Sequence, residues 1–321
     1  MSKNPENPVN TVRWVDINEH QEGQRIDNFL LTYLKGVPKS RIYRILRKGE
    51  VRVNKGRVRP EYRLKSGDRL RIPPVRVSET STAPPINVEQ NLAWLESRII
   101  HEDKAILVLN KPSGLAVHGG SGLSYGVIEA LRVLRRDEPY LELVHRLDRE
   151  TSGCLILAKR RSHLRRLHEQ LRNGEIRKHY HALLKGLWEG GERRIDASLA
   201  KNTLKSGERM VRVTEEGKQS ASIFVPIRLF AIASYMDVEL LTGRTHQIRV
   251  HAAYAGHPLA GDKKYGDRAF NQQMKQLGLK RQFLHAASIS LRHPQTDEAV
   301  TFTAPLDDDL ENVLRQLRTM C

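Results

Sequence analysis

A stretch rich in proline, serine and threonine divides the chain into two parts. Residues 73–90, PPVRVSETSTAPPINVEQ, hold four prolines and few apolar residues, a composition typical of an extended, semi-stiff linker. A chain of 321 residues is also long for one core, because single cores usually stop growing at about 250–300 residues. We therefore place a linker at residues 77–97, between a small domain at 23–76 and a larger domain at 98–321, with an N-terminal extension at 1–22.

Positive charge is concentrated in the small domain. Residues 24–76 hold 16 Lys and Arg against 4 Asp and Glu, a surplus of 12 within a net charge of +17. Such a surplus indicates a polyanionic partner, and nucleic acid is the commonest one. An anionic membrane is the alternative, but no apolar run approaches the roughly 20 residues of a spanning helix, and the start MSKNPENPVN is too polar for a signal peptide. We expect a cytoplasmic protein with no membrane partner, and the two cysteines agree with a reducing compartment.

Two short helices and a β-hairpin are predicted in the small domain. Apolar residues of RIDNFLLTYL, from Ile26 to Leu34, follow one helical stripe. A second helix is predicted to begin at Ser40 as N-cap and to end at Gly49, with Ile42, Ile45 and Leu46 on its buried side. The alternating residues that follow, with turns at 54–56 and 66–68, predict short strands.

The stretches RIDNFL, KSRIYRILRKGEVRVNKGRV and LKSGDRLRI resemble the small RNA-binding domain named after ribosomal protein S-four. A charge run is more often a solvated helix face, but here the sign is nearly uniform and few acids are available for pairing. The resemblance implies that basic residues of this domain contact RNA phosphates. The residues that we predict to bind RNA here are Arg41, Arg44, Arg47, Lys48, Arg52 and Lys55.

The larger domain has the composition of an ordinary α+β core. Strands are predicted at 105–110, 154–159, 180–188, 234–240 and 288–291, helices at the stripes Val127–Leu134 and Leu164–Leu171, and a closing helix after Pro305. Because strands and helices do not alternate strictly, we predict a mixed, mostly antiparallel sheet flanked by helices.

Polar and glycine-rich segments that adjoin these strands exclude several kinds of chemistry. His246 and His251 lack a nearby acid, so a metal site is disfavoured, and GGSG at 119–122 lacks the ending of a phosphate-binding loop. Catalysis of the glycosidase type needs a second carboxylate beside Asp148, and these segments offer only Glu150 and Asp262 for that role. A Ser/His/Asp triad drawn from the turn 145–152 cannot converge on one reacting atom.

One acid remains as a candidate, Asp148, which lies in the stretch VHRLDRETSG at residues 144–153. The last three residues of that stretch, Thr151-Ser152-Gly153, are expected to interrupt regular secondary structure. An ion pair that pins two strands is one interpretation of an isolated aspartate among cations. The other is catalysis on a nucleotide in RNA, which requires extrusion of the base and one carboxylate kept ionised by a cation.

Three motifs of the larger domain carry a closer resemblance. HRLDRETSG, with NKPSGLAVHGG before it and GRTHQIRVHAAYAGHPLAGD after it, resembles the pseudouridine synthase family, in the branch that modifies large-subunit ribosomal RNA. The resemblance runs from about Gln24 to Pro305. It implies a pseudouridine synthase fold, large-subunit ribosomal RNA as partner and isomerisation of uridine without a cofactor or metal.

The resemblance also implies roles for individual residues. Asp148 matches the catalytic aspartate, Tyr180 the tyrosine that stacks on the target base and is proposed to help remove the proton from carbon 5, and Arg249 the arginine that pairs with the aspartate. Arg146 matches the arginine that enters the RNA helix where the uridine leaves. Weaker candidates for the pocket are Lys111, Arg244 and His246.

Several alternatives stay open at this point. Asp148 can attack ribose carbon 1′ or base carbon 6, or remove the proton from carbon 2′, and the sequence does not choose among these routes. Loss of Arg249 is expected to leave an uncompensated buried charge, at a cost of roughly 3–5 kcal/mol. An inactive RNA-binding protein and a nucleosidase that releases uracil are rival functions. We expect a monomer.

Overall fold

The computed structural model describes residues 11–19, 21–34, 37–75, 92–119, 126–203 and 209–320 of two compact units. The first unit comprises Met1–Val88 and the second Glu89–Cys321. Of the linker placed at 77–97, residues 77–91 lie outside the described ranges. Ala93–Arg98 forms a 3-10 helix and buries Leu95 in the core of the second unit, so the last residues of that span belong to this unit.

The first unit is a four-stranded antiparallel sheet that packs one face against two helices. The strands are β1 (Arg13–Asp16), β2 (Arg52–Val53), β3 (Gly56–Arg57) and β4 (Arg69–Ile72), in the order β1-β4-β2-β3. The helices are α1 (Ile26–Tyr33) and α2 (Lys39–Arg47). Strand β1 lies in the span assigned to an N-terminal extension, so part of that extension belongs to the sheet.

Helix α2 has the buried stripe that its sequence predicts, since Ile42, Ile45 and Leu46 are at most 2% exposed. Its ends differ partly from the prediction. The N-cap is Pro38, two residues before Ser40, and its carbonyl accepts hydrogen bonds from the amides of the first turn. After the helix Gly49 has φ of +68°, which agrees with its predicted place at the C-terminal end.

The second unit contains a large mixed sheet. Its strands are β5 (Ile99–Glu102), β6 (Ile106–Lys111), β7 (Glu142–Leu143), β8 (Ser152–Ala158), β9 (Arg177–Lys185), β10 (Arg193–Asp196), β13 (Ala221–Leu229), β14 (Ala233–Leu240), β15 (Leu284–Arg292) and β16 (Ala299–Thr303), with a separate hairpin of β11 (Leu199–Thr203) and β12 (Arg209–Val213). The order is β10-β13-β14-β9-β15-β8-β6-β5, with β16 beside β15 and β7 beside β8. The pairing of β8 with β15 is parallel and the others described are antiparallel. The predicted α+β class with a mostly antiparallel sheet is confirmed.

Within the described residues, five α-helices accompany this sheet: α3 (Val127–Leu134), α4 (Arg161–Asn173), α5 (Gln247–Tyr254), α6 (Arg268–Gln276) and α7 (Asp308–Arg318). The stripes predicted α3 and α4, and α7 is the closing helix expected after Pro305, whereas α6 was not predicted. Helix α5 was not predicted, because it buries polar residues such as Gln247, Arg249 and His251 and therefore lacks an apolar stripe. No described helix combines the length and apolar composition needed to cross a membrane.

The interruption of secondary structure predicted at Thr151-Ser152-Gly153 coincides with the start of strand β8, at Ser152. Gly153 has φ of +109° and lies against β15, where a Cβ would come within 2.2 Å of the carbonyl oxygen of Ala286. Only glycine therefore allows the two parallel strands to approach here. This close approach fixes the start of β8, and with it the preceding turn that carries Asp148.

Candidate active site

A cavity of about 350 Å³ lies where the segment 144–151 meets β9, helix α5 and the loop before it. Six of the residues predicted for the site line this cavity: Arg146, Asp148, Tyr180, Arg244, His246 and Arg249. Three separate stretches of sequence supply them, and the sheet brings these stretches together. Among the described parts of the chain, no group of three His, Cys, Asp or Glu side chains is arranged to hold a metal ion.

The carboxylate of Asp148 faces the guanidinium of Arg249. Nη1 of Arg249 lies 3.4 Å from Oδ2 of Asp148, whose side chain is 23% exposed. The same guanidinium binds a second carboxylate more closely, since Nε and Nη2 donate to Oδ2 and Oδ1 of Asp262 at 2.7 and 2.9 Å. Asp148, Arg249 and Asp262 thus form a row of two acids joined by one cation, with only the first acid open to the cavity.

Asp262 is the buried member of this row, with a fully buried side chain. Burial favours its neutral form, but the hydrogen bonds and charge of Arg249 outweigh burial and hold the pKa of Asp262 below its usual value, helped by the amides of Lys264 and Tyr265. Burial opposes the charge of Arg249, and the two carboxylates raise its pKa nonetheless. Both groups of the buried pair are therefore ionised at neutral pH.

His246 is the second basic neighbour of Asp148. Its backbone has φ of +55°, a conformation rare for a residue with a side chain, and its Nε2 lies 3.7 Å from Oδ2 of Asp148. Its Nδ1 lies 2.8 Å from the hydroxyl of Tyr265, which accepts a hydrogen bond from the amide of Val211. The Tyr265 proton can be donated to Nδ1, and in that tautomer Nε2 carries the histidine proton and faces Asp148.

Tyr180 lies on β9 and is 7% exposed at the cavity. Burial and then the negative charge of Asp148 raise the pKa of Tyr180 well above its usual value. The ring is therefore an uncharged phenol at neutral pH, and its face can stack on a planar group in the cavity.

Two further lining residues were not predicted for the site. Burial lowers the pKa of Lys178, on the same strand as Tyr180. Burial and the charge of Lys178 also lower the pKa of His145, whose Nε2 accepts a hydrogen bond from the amide of Ile156. His145 is therefore neutral, and the cation that faces Asp148, Arg249, comes from a distant part of the sequence. The spacing of residues in the sequence does not predict that Lys178 lines the cavity.

Lys111 does not line the cavity. Its side chain is fully buried, and its Nζ donates to the carbonyls of Pro112, Leu115 and Arg149 at 2.7, 2.8 and 3.1 Å. Burial lowers its pKa to about 7. Lys111 thus holds the residue after Asp148 against the loop that follows β6, which makes it a positioning residue.

The remaining candidates lie at surfaces. Arg146 is exposed at the cavity mouth and has no ion-pair partner within the described part of the chain. Arg244 is exposed, and its Nε donates to the carbonyl of Gln219. In the first unit Arg44, Arg47, Lys48, Arg52 and Lys55 are exposed and Arg41 is half-buried, all on α2 or the hairpin after it.

Two sequence models of known families match the chain. A family described as RNA pseudouridylate synthase matches residues 105–254, a range that includes Asp148, Tyr180 and Arg249. The S4 domain matches residues 24–70, which contain both helices of the first unit. The two matches lie in different units.

Characterised proteins and solved structures resemble the chain over most of its length. Ribosomal large subunit pseudouridine synthase C of Pasteurella multocida is 56% identical over 98% of this chain and 97% of its own length. The protein of that name from Escherichia coli K12 is also 56% identical, over 96% and 97%. The structure of human RNA pseudouridylate synthase domain containing 4 has a TM-score of 0.60, at 24% identity over 72% of this chain and 97% of that one. Human RNA pseudouridylate synthase domain containing 1 has a TM-score of 0.55, at 25% identity over 68% and 94%.

Proposed function

Because the chain belongs to the RNA pseudouridylate synthase family, we propose that it isomerises uridines of large-subunit ribosomal RNA to pseudouridine, with Asp148 as the catalytic carboxylate. The observation that carries this assignment is the position of Asp148. Its carboxylate is open to a cavity of about 350 Å³ and faces Arg249, whose charge is held in place by the buried Asp262. RNA binding alone does not require a carboxylate, which repels phosphate, at the centre of such a cavity.

The reaction breaks the bond between ribose carbon 1′ and base nitrogen 1, turns the base and rejoins it through carbon 5. Asp148 is the group that reacts with the nucleotide, either as a nucleophile at carbon 1′ or carbon 6 or as the base that removes the proton from carbon 2′. All three routes need an ionised carboxylate. Arg249 supplies a positive charge 3.4 Å away, and the single long contact leaves the carboxylate oxygens accessible from the cavity.

Tyr180 is the group on which the base stacks and turns. An uncharged ring at the wall of the cavity can hold the uracil plane through its rotation without a fixed hydrogen bond. The raised pKa opposes a role for Tyr180 as a free phenolate. If Tyr180 takes part in removing the proton from carbon 5, it must lose its own proton in the same step.

Residues around the cavity mouth contact the RNA. A uridine within paired RNA must leave its helix to reach Asp148, which costs a few kcal/mol. The exposed guanidinium of Arg146 can enter the space that the base leaves, and Arg244 can bind a neighbouring phosphate. In the tautomer that carries its proton on Nε2, His246 directs an N–H toward Asp148 from 3.7 Å, beyond the length of a hydrogen bond.

The first unit raises the affinity for RNA. Its predicted phosphate contacts are Arg41, Arg44, Arg47, Lys48, Arg52 and Lys55, which lie on α2 and the following hairpin. We also propose that the protein acts as a monomer in the cytoplasm, where bacterial ribosomes assemble. The catalytic groups named above all come from one chain, so a second copy is not needed to complete the site.

Release of tritium from RNA labelled at uridine carbon 5 tests the function, because carbon 5 loses its hydrogen when it binds the ribose. The substrate is a large-subunit ribosomal RNA transcript, incubated with the wild-type protein and with Asp148→Asn, which keeps the side-chain shape. We expect release by the wild type and none by the variant, with no free uracil. Release of uracil would indicate a nucleosidase, and equal release by both proteins would remove Asp148 from the reaction.

A further inference from the structure

We propose that the outer face of the sheet in the first unit is a second RNA-binding surface, on which Trp14 stacks against an unpaired base while arginines of the neighbouring strands bind the phosphates. This surface comprises Trp14, Arg52, Arg57 and Arg71, and it is called the sheet surface below. It deepens the proposed function, since it takes the RNA to be the substrate. It shares Arg52 with the phosphate contacts proposed above, and its other residues are not among those contacts.

The two faces of this sheet differ sharply. Val53 of β2 and Leu70 and Ile72 of β4 point inward and are at most 4% exposed, because both helices pack on that side. Residues alternate between faces along a strand, so Arg52 and Arg71 point to the opposite side. No helix of the first unit covers that side within the described residues.

The sheet surface is a continuous row across all four strands. Trp14 of β1 is paired directly with Arg71 of β4, Arg71 with Arg52 of β2, and Arg52 with Arg57 of β3. Neighbouring strands are about 4.8 Å apart, so the three arginines span roughly 10 Å. The row therefore offers one aromatic ring followed by three guanidinium groups.

Like charges on directly opposed residues of neighbouring strands destabilise a sheet. The described ion pairs place no carboxylate on Arg52, Arg57 or Arg71. Arg71 donates one hydrogen bond to the carbonyl of Glu50, and Arg52 donates to those of Gly49 and Lys55. A guanidinium has five N–H donors, so each retains several for an anionic ligand. The phosphates of RNA supply the missing negative charge.

Trp14 adds the feature that distinguishes this surface from a simple basic patch. It is 48% exposed, although the guanidinium of Arg69 lies over its ring at 5.1 Å from the centroid. Arg69 also lies 3.7 Å from the carboxylate of Asp16, in an exposed ion pair. An exposed indole next to a row of cations is the combination that binds single-stranded RNA, because the ring stacks on a base and the cations bind its backbone.

The chain contains a matched control for this residue. Trp94, in the second unit, is 47% exposed, but none of the described arginines lies over its ring. The test compares Trp14→Leu, Trp14→Phe and Trp94→Leu in full-length protein carrying Asp148→Asn, so that no turnover occurs. The measured quantity is the Kd for the large-subunit ribosomal RNA transcript at constant salt, by filter binding.

Trp14→Leu should weaken binding by roughly 5- to 150-fold, the range expected for loss of one stacked base, while Trp14→Phe should retain most of the affinity. Trp94→Leu should bind as the parent does. Equal Kd values for Trp14→Leu and Trp94→Leu would overturn the proposal, and so would an equal loss for the leucine and phenylalanine variants at position 14.

A spectroscopic arm tests stacking directly. In full-length Trp94→Phe the remaining tryptophans are the exposed Trp14 and the buried Trp188, which is 2% exposed. Addition of the transcript should quench the Trp14 fluorescence, and no quenching at saturating RNA would contradict stacking. Tritium release by the wild type is measured separately, so a failure of the isomerase assignment is distinguishable from a failure of the sheet surface.

Discussion

The guanidinium of Arg249 donates two hydrogen bonds to Asp262, at 2.7 and 2.9 Å, and leaves Nη1 3.4 Å from the carboxylate of Asp148. The closer pair is therefore the one that has no access to the cavity. This arrangement separates two tasks. Asp262 fixes the arginine, and the arginine places a positive charge beside Asp148 without enclosing it. The uncompensated charge expected on loss of Arg249 would accordingly lie on the fully buried Asp262 more than on Asp148.

Asp262→Asn should destabilise the protein by roughly 3–5 kcal/mol, because it leaves the buried Arg249 without its main partner. Asp148→Asn should change stability much less, since that side chain is 23% exposed and makes one long contact. Urea denaturation measures both. Arg194→Gln, which breaks the exposed pair with Asp196, is the control and should have no measurable effect. Equal destabilisation by the Asp148 and Asp262 variants would contradict the conclusion that Asp262 is the main partner of Arg249.

Tyr265→Phe should lower kcat several-fold and leave KM for RNA unchanged. The variant removes the hydroxyl that binds Nδ1 of His246 at 2.8 Å and so frees the histidine to move its proton away from Asp148. Nitrogen NMR of His246 should show loss of the Nε2–H tautomer in the variant. His246→Gln, which retains an N–H donor, should be more active than His246→Ala. An unchanged tautomer together with an unchanged kcat would exclude this role for Tyr265.

The protein should lose stability as the pH falls from about 6.5 to 4. His285 is fully buried, and burial lowers its pKa to about 4. Between these values the unfolded chain binds a proton that the folded protein does not, so acid favours unfolding by about 1.4 kcal/mol per pH unit. His285→Gln should make the pH dependence shallower in urea denaturation. Identical slopes for wild type and His285→Gln would refute this source of acid sensitivity.

Gly153→Ala should destabilise the protein by at least about 3 kcal/mol. A methyl group there would meet the carbonyl oxygen of Ala286 at 2.2 Å, in a backbone conformation that a side chain disfavours. Gly174→Ala is the matched control, since Gly174 also has positive φ but no atom within 4 Å of an added Cβ, and it should cost about 1–2 kcal/mol. Thermal unfolding compares the stability of the two variants. Equal losses of stability would show that the contact with β15 does not add to the cost of the positive φ.

Replacement of Arg44 and Arg47 by glutamine should reduce the salt dependence of RNA binding. Each phosphate contact contributes about 0.7–0.9 to the slope of log K against log salt, so the double variant should lose roughly 1.4–1.8. Arg315→Gln, on the exposed side of α7, should leave the slope unchanged. The measurement is the Kd for the transcript over a range of salt concentrations. An unchanged slope in the double variant would show that α2 does not contact phosphates.

The sequence determined those parts of the fold that follow from local pattern. Short apolar runs predicted β6, β8, β9, β14 and β15, and helical stripes predicted α3 and α4, because burial leaves a local pattern in the sequence; β6 and β8 are buried along their whole length and so read as continuous apolar runs. The motif resemblance indicated Asp148, Tyr180 and Arg249 together, and all three line one cavity. The pattern failed for α5, since three of its six buried residues, Gln247, Arg249 and His251, are polar and interrupt the apolar stripe.

Tertiary structure decided which groups face one another. Asp262 was one acid among several in the sequence, and only the packing of its loop beside α5 makes it the partner of Arg249, thirteen residues earlier. Lys111 was a pocket candidate, but the path of β6 buries it among three carbonyls away from the cavity. Trp14 carried no signal, because the exposure of an aromatic ring beside arginines depends on strand register. Contacts between residues far apart in sequence arise from the packing of strands, helices and loops, and no local periodicity of the sequence predicts them.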